Sequence, residues 1–428
     1  MKWRLLISGG LVLGLVLLAV AATLYRNPDA DRLRATLIAD PLLGPPHLVP
    51  AQGDSRAVVF LFSGLDGWDS NAATLAEQLS GAGITVVGID VKAALPLLSK
   101  AAGDCVDPQW RVQHLSHEIQ RALSLPRYRL PILAGVGAGG DLAARIAESA
   151  TPAVLGGAIV VDPVPALGRP ICNTGDDHLG APVTRLPTGT GDGQGGLFRA
   201  LSERADAPSG TEAELADLPV TELPAAADRN TLAIVYSGDG GWRDLDKSIA
   251  EYLAAHGVPT VGLDMLRYYW TWKSPADSAA DLSRLIRHYR AAWGIDRVVL
   301  VGYSFGADVM PALYNLLPPE DRTHVAQISL LALSASADFE VTVGSFLSAK
   351  TDRAQPVRPD LERIDPAMLQ CFQGRDDGDA ICDSLGGRGV SVVTTPGGHH
   401  FDGDYDALAQ HILDRLAQRL ATAPAVER

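Results

Sequence analysis

Aromatic residues make up only 6% of this 428-residue chain, and cysteine and methionine occur four times each. None of the cysteines forms a C-x-x-C pair, so the spacing that marks a zinc site is missing. No lysine- or arginine-rich patch interrupts a formal net charge of −14, and non-specific nucleic-acid binding needs the opposite sign. The same charge is repelled by an anionic bilayer, unless the molecule being recognised is itself cationic. No glycine-rich segment leads into G-K-[ST], which removes the P-loop reading. Beyond Leu24 there is no second uncharged run long enough to span a bilayer. Nothing in the sequence calls for a metal or a cofactor.

The rest of the composition is that of an α/β protein: 47% hydrophobic, with 43 glycines. The length exceeds one comfortable core and predicts two domains. An internal repeat gives the same number. AVVFLFSGLDGW at 57–68 answers TLAIVYSGDGGW at 231–242, TVVGID answers TVGLD, and GVGAGGD at 135–141 answers GYSFGAD at 302–308. Ser63 and Ser237, like Asp90 and Asp264, are separated by the same interval. The centre of the last motif is Gly137 in one copy and Ser304 in the other. At the N-terminus, Lys2 and Arg4 precede an uncharged run from Leu5 to Leu24, with Ala19-Val20-Ala21 near its end. Residues 1–27 therefore read as a secretory signal cleaved after Ala21 or as an uncleaved membrane anchor, and both readings export the chain. The four cysteines agree with export. They permit three pairings, and Cys105–Cys172 with Cys371–Cys382 keeps each bridge inside one copy.

Apolar strands alternate with helical stretches in both copies, which predicts tandem α/β-hydrolase-like domains with mostly parallel, doubly wound sheets. The expected division is a degenerate domain over 28–220 and a complete one over 221–422. After Cys172 the pattern collapses into Gly, Thr, Pro and Asp, so 173–220 reads as a loop or linker broken only by a short helix, LFRALSERA. The first copy shows no convincing counterpart of the last two strands of the second.

Gly302-Tyr303-Ser304-Phe305-Gly306 follows a buried strand and opens a helix. That is the setting of a nucleophile elbow, although a serine in a plain strand-to-helix turn would read the same way. A serine hydroxyl needs a base, oriented by an acid, with acid and base following in chain order. VSVVTTP leads to Gly397-Gly398-His399-His400. His399, directly after the glycines, is the preferred base and His400 the alternative. The strand MLQCFQG leads to Asp376, Asp377 and Asp379, of which Asp377 is preferred as the acid and Asp379 is the close second. Backbone N–H groups of Phe305 and of Asp239 or Gly240 are the candidate oxyanion donors. HHFDGDYD also groups His400, Asp402, Asp404 and Asp406, but Ala407 and Leu413 stand where a calcium loop needs glycine and glutamate. Tyr268 and Trp270, after the Asp264 strand, are candidates either to line an acyl cleft or to pack in the core.

SGDGGW and GYSFGAD, together with the C-x10-C spacing and GGHHFDGDY, resemble the AcvB/VirJ family of bacterial virulence proteins. The two-copy layout is similar to AcvB-like members, which carry a degenerate first domain. The resemblance implies a periplasmic hydrolase that cleaves the aminoacyl ester of lysyl-phosphatidylglycerol at a membrane surface, with its serine at Ser304 and its histidine in the GGHH pair. Asp239 and Asp308 are then candidates to hold the substrate's ammonium groups. Through its VirJ branch the resemblance also implies an alternative, a periplasmic adaptor or chaperone of a type IV secretion system. A third reading is an esterase or lipase of another substrate class.

Overall fold

The computed structural model describes residues 40–150, 154–172, 180–186, 193–206, 215, 217–342 and 351–422. The N-terminal apolar run lies outside these residues. No helix within them is long and apolar enough to cross a membrane.

The first sheet contains β1 (His47–Val49), β2 (Ala57–Phe62), β3 (Ile84–Ile89), β4 (Ile132–Val136), β5 (Ala158–Val161) and β6 (Val183–Leu186), in the order β1-β3-β2-β4-β5-β6. The second contains β7 (Val220–Leu223), β8 (Thr231–Tyr236), β9 (Thr260–Leu263), β10 (Arg297–Tyr303) and β11 (Val325–Leu331). After a two-stranded ribbon of β12 (Ser336–Ala337) and β13 (Gln355–Pro356), it is completed by β14 (Leu369–Gly374) and β15 (Ser391–Thr395). Its order is β15-β14-β11-β10-β8-β9-β7. In each sheet only the first strand, β1 or β7, runs antiparallel, and every other pair is parallel. The two sheets thus share one strand order, and both domains have the α/β-hydrolase-like architecture.

The strands are apolar throughout because both faces are covered. In β8, Leu232, Ile234 and Tyr236 enter one core while Ala233 and Val235 enter the other. In β2, Val58, Phe60 and Phe62 alternate in the same way with Ala57, Val59 and Leu61. The covering helices are α1 (Ser70–Gly81), α2 (Val91–Lys100), α3 (Pro108–Ala122), α4 (Ala138–Ser149) and α5 (Gly193–Asp206) in the first domain. The second has α6 (Asp244–Ala255), α7 (Pro275–Trp293), α8 (Phe305–Leu316) and α9 (Tyr405–Thr422).

Two expectations need correcting. Part of 173–220 is not linker: β6 pairs in parallel with β5, as β14 does with β11, and Leu197 and Leu201 of α5 are buried against the first sheet. Only a counterpart of β15 is missing among the described residues of the first domain. The strand β6 escaped notice because VTRL is a short edge strand with half-exposed ends and no apolar run. In addition, Leu215 and Leu218 are buried in the core of the second domain.

The domains are packed along α3. Tyr128, at the end of the following loop, enters the second domain's core. Trp270 Nε1 donates to the carbonyl of Leu125 at 2.9 Å, and the Arg121 guanidinium lies 3.7 Å over the Trp270 ring. His117 is buried at the same contact, its ring edge-on to Tyr128. Burial, helped by the nearby Arg243 charge, pushes its pKa down to about 3, so the interface holds a neutral imidazole at neutral pH.

Candidate active site

The carboxyl ends of β10, β14 and β15 converge on one side chain each. Buried β10 ends at Tyr303, and Ser304 turns the chain into α8 with φ 50° and ψ −114°. A non-glycine residue in this region costs about 1–3 kcal/mol, which the surroundings must supply. They do so through close packing. A Cβ on Gly302 would lie 2.5 Å from the Gly306 carbonyl oxygen, and one on Gly306 would lie 2.3 Å from the Tyr236 carbonyl oxygen. The Ser304 N–H donates to the Leu331 carbonyl at 2.8 Å, anchoring the turn to β11.

After β15, the turn at Gly397–Phe401 closes with the Phe401 N–H on the Gly398 carbonyl, and the Phe401 ring is buried in the core. A Cβ on Gly374, at the end of β14, would meet the Gly398 oxygen at 2.1 Å, so the two strand ends lie in direct contact. This brings His399 Nε2 to 2.8 Å from Ser304 Oγ and His399 Nδ1 to 3.0 Å from Asp377 Oδ2. The Asp377 side chain is 4% exposed and the His399 ring 39% exposed. The carboxylate is thus shielded while the imidazole faces the cleft.

Of the alternatives, Asp379 meets Asp377 only through its backbone N–H, which donates to Asp377 Oδ1 at 3.2 Å. His400 Nδ1 is 2.9 Å from the oxygen of the Tyr303 hydroxyl, which donates its proton to the His399 carbonyl at 3.3 Å, so His400 buttresses the histidine turn. Downstream, Asp404 accepts from the Ala407 N–H in the first turn of α9. Among the described residues no group of three or more His, Cys, Asp or Glu side chains is arranged to hold a metal.

The turn Gly238–Gly241 lies beside the serine: a Cβ on Gly238 would be 3.8 Å from Ser304 Cβ. It closes with the Gly241 N–H on the Gly238 carbonyl, with Asp239 and Gly240 at its centre. Phe305 opposes it as the first residue of α8, where a backbone N–H has no partner within the helix and lies at the positive end of its dipole. The turn carrying Asp239 and Gly240 thus lies beside Ser304, and Phe305 follows it in the chain.

Three proposed substrate contacts are elsewhere. Asp308 is buried at 4% exposure, and its two oxygens accept from the Ser334 N–H and hydroxyl, both at 2.7 Å. It clasps the loop after β11 and is buried away from solvent. Tyr268 donates to Asp281 at 2.6 Å from within the core, and Trp270 is the domain contact described above. Both are about as buried as Asp308.

Both expected disulfides are present, Cys105–Cys172 and Cys371–Cys382. The second joins β14 to the end of the segment bearing Asp377, across 11 positions. Closing that loop stabilises the fold by about 3 kcal/mol in the chain-entropy model. The double variant Cys371→Ala/Cys382→Ala is expected to lose roughly that much in a denaturant melt. The contact between Asp377 and His399 should also loosen, because the loop that bears Asp377 is released. A melt identical to wild type would contradict this.

The first domain repeats the elbow with glycine in place of the serine. Gly137 has φ 58° and ψ −123°, nearly those of Ser304, and Gly135 and Gly139 are as tightly enclosed as Gly302 and Gly306. Residues 230–420 match the family model described as bacterial virulence protein (VirJ). The match covers β8 to α9, the span that holds the three converging side chains, so the likeness to the VirJ family lies in the second copy. No curated protein matches the chain. Among solved structures, Est1E from Butyrivibrio proteoclasticus, with ferulic acid bound, is 13% identical, covering 47% of this chain and 96% of its own, at a TM-score of 0.33. YbtT, a type II thioesterase of yersiniabactin biosynthesis, is 16% identical over 47% of this chain and 99% of its own, with a TM-score of 0.32. A predicted CIB-like hydrolase from Thermoplasma acidophilum is 16% identical over 46% and 91%, with a TM-score of 0.33. At this level of likeness none of them assigns a substrate or a role to a residue of the VirJ-like domain.

Proposed function

We propose that the VirJ-like domain is a serine carboxylic-ester hydrolase. The observation that carries this reading is the continuous hydrogen-bonded line Asp377–His399–Ser304, with the serine held on a strained elbow. His399 Nε2 takes the Ser304 proton as Oγ attacks the ester carbonyl, and Asp377 holds the imidazole in the tautomer that leaves Nε2 free to accept. The carbonyl oxygen becomes an oxyanion between the Phe305 N–H and the Asp239–Gly240 turn. Collapse breaks the bond to the alcohol, which leaves with the proton from His399. Water then repeats the sequence on the acyl-enzyme and releases the acid. A fluorophosphonate probe tests this directly: the enzyme should label at Ser304, whereas a non-catalytic secretion-system adaptor would stay unlabelled.

The substrate proposed is the aminoacyl ester of lysyl-phosphatidylglycerol, which the VirJ match and the charge of the chain support. A lysyl ester carries two ammonium groups, and a protein of net charge −14 attracts such a headgroup while an uncharged lipid gains nothing from it. Two disulfides and the apolar N-terminal run support a periplasmic location. Asp239, half-exposed beside Ser304, is the carboxylate best placed to meet the substrate's amine. Asp239→Ala is expected to raise KM for a lysyl ester about tenfold, the scale of one charge-assisted contact, and to leave KM for an acetyl ester unchanged. Equal changes for both esters would remove Asp239 from substrate binding. Substrate identity is decided by lipid extracts of cells with the protein, without it, and with Ser304→Ala. Lysyl-lipid levels should rise in the last two, and constant levels would rule the substrate out.

A further inference from the structure

The domain without a nucleophile sends one side chain to the cleft of the other. Gln113, on α3, is 6% exposed. Its Nε2 donates to the Gly240 carbonyl at 3.2 Å, and its Oε1 accepts from Arg243 Nη1 at 3.0 Å. Both partners belong to the loop that flanks Ser304. The Arg243 side chain folds back over that loop, where a Cβ on Gly240 would lie 2.9 Å from Nη2. The far side of the loop is pinned by its own domain, since the Trp242 ring fills the space a Cβ on Gly262 would need, at 2.1 Å. The near side, at Asp239 and Gly240, consists of a half-exposed residue and a glycine, and glycine has the widest conformational freedom of any residue. A buried amide bonded at both ends restricts that freedom, because breaking away costs the buried Gln113 amide the partners of its own donor and acceptor.

We propose that the first domain acts in the reaction as a clamp, and that Gln113 is a positioning residue that sets the Gly238–Gly241 turn by holding the Gly240 carbonyl and Arg243. Fixing this carbonyl fixes the peptide plane it shares with the Gly241 N–H, which closes the turn on the Gly238 carbonyl, and so anchors one end of the turn that carries the Asp239 and Gly240 N–H groups. The role explains why a domain with glycine at the nucleophile position keeps an intact helix against the other domain's cleft. The catalytic part of the inference rests on the hydrolase reading, whereas the ordering of the loop stands without it.

The test uses the full chain. Gln113→Met keeps volume and helix propensity and removes both hydrogen bonds. Arg121→Met loosens the same interface at Trp270 and the Val341 carbonyl, away from the loop. Two quantities are measured in each: kcat and KM for a p-nitrophenyl ester, and hydrogen exchange of the amides at 238–243. Losing one oxyanion donor costs about 10²–10³ in kcat, so a misdirected one should cost at least about tenfold. Gln113→Met is therefore expected to lower kcat about ten- to a hundredfold with KM within about twofold, and to speed exchange at 238–243 by about tenfold. Arg121→Met should leave both near wild type. The proposal is overturned if Gln113→Met exchanges like wild type, or if Arg121→Met reproduces its effects. It is equally overturned if kcat holds while exchange rises. If wild-type protein turns over no ester, the hydrolase reading has failed, and the exchange comparison alone decides whether Gln113 orders the loop.

Discussion

Ser304→Ala is expected to abolish labelling by a fluorophosphonate and to lower kcat for any ester substrate by about 10⁴- to 10⁶-fold. The range follows from serine hydrolases in general, where losing the nucleophile costs about as much as losing the whole triad. What survives is binding and the oxyanion site, which together still accelerate hydrolysis about 10³-fold over water. Folding should be unaffected, because Ser304 contributes backbone contacts to Leu331 and Asp308 that an alanine would keep. Alanine also tolerates the positive φ no worse than serine does. A melt of Ser304→Ala superimposable on wild type, with turnover lost, separates chemistry from structure. Residual turnover within tenfold of wild type would move the nucleophile elsewhere.

The two copies show which parts of the repeated motif are chemistry and which are scaffold. In both, the serine after β2 or β8 donates to the next carbonyl and accepts from the second N–H past the neighbouring strand: Ser63 with Gly64 and Val91, Ser237 with Gly238 and Met265. Asp90 and Asp264 cap the following turns in the same manner. Trp68 stacks against Gly88 as Trp242 does against Gly262. Most of the repeated sequence therefore ties β2 to β3 and β8 to β9, and it persists where glycine occupies the elbow position. Among the described residues the domains differ at position 304 against 137, in β15 with the turn that follows it, and in the segment after β14 that bears Asp377.

That division explains what could be read from the sequence. Ser304, Asp377 and His399 stand out because each follows an apolar strand, glycines mark the tight turns, and the chain order of a triad is fixed by the fold. Asp377 over Asp379 rests on a two-residue offset, and His399 over His400 on adjacency to the glycine pair, both local signals. The misplaced residues depended on contacts between distant segments. Asp308 is a helix residue with an acidic side chain until the Ser334 loop is folded over it. Trp270 looks like a cleft aromatic until α3 and the Leu125 carbonyl are placed against it. Gln113 carries no motif, and its partner lies 127 positions away.

The acid gives the second large effect, and it separates the two aspartates that sequence alone ranks closely. In Asp377→Asn the side chain keeps its shape, but its amide can donate to His399 Nδ1. Nδ1 would then give up its proton, and Nε2 would carry one. An imidazole protonated at Nε2 cannot accept from Ser304 Oγ, which is 2.8 Å away. The expected fall in kcat is about 10⁴-fold, the size seen when a triad acid is amidated with its geometry intact. Asp379→Asn should remain within about twofold of wild type, since Asp379 reaches the triad only through its backbone N–H, which the substitution keeps. Turnover of a chromogenic ester and the rate of fluorophosphonate labelling measure both variants. A loss in Asp379→Asn as large as that in Asp377→Asn would mean that the loop rearranges when substrate binds. In that case the 3.0 Å contact between Asp377 and His399 is not the one used in the reaction.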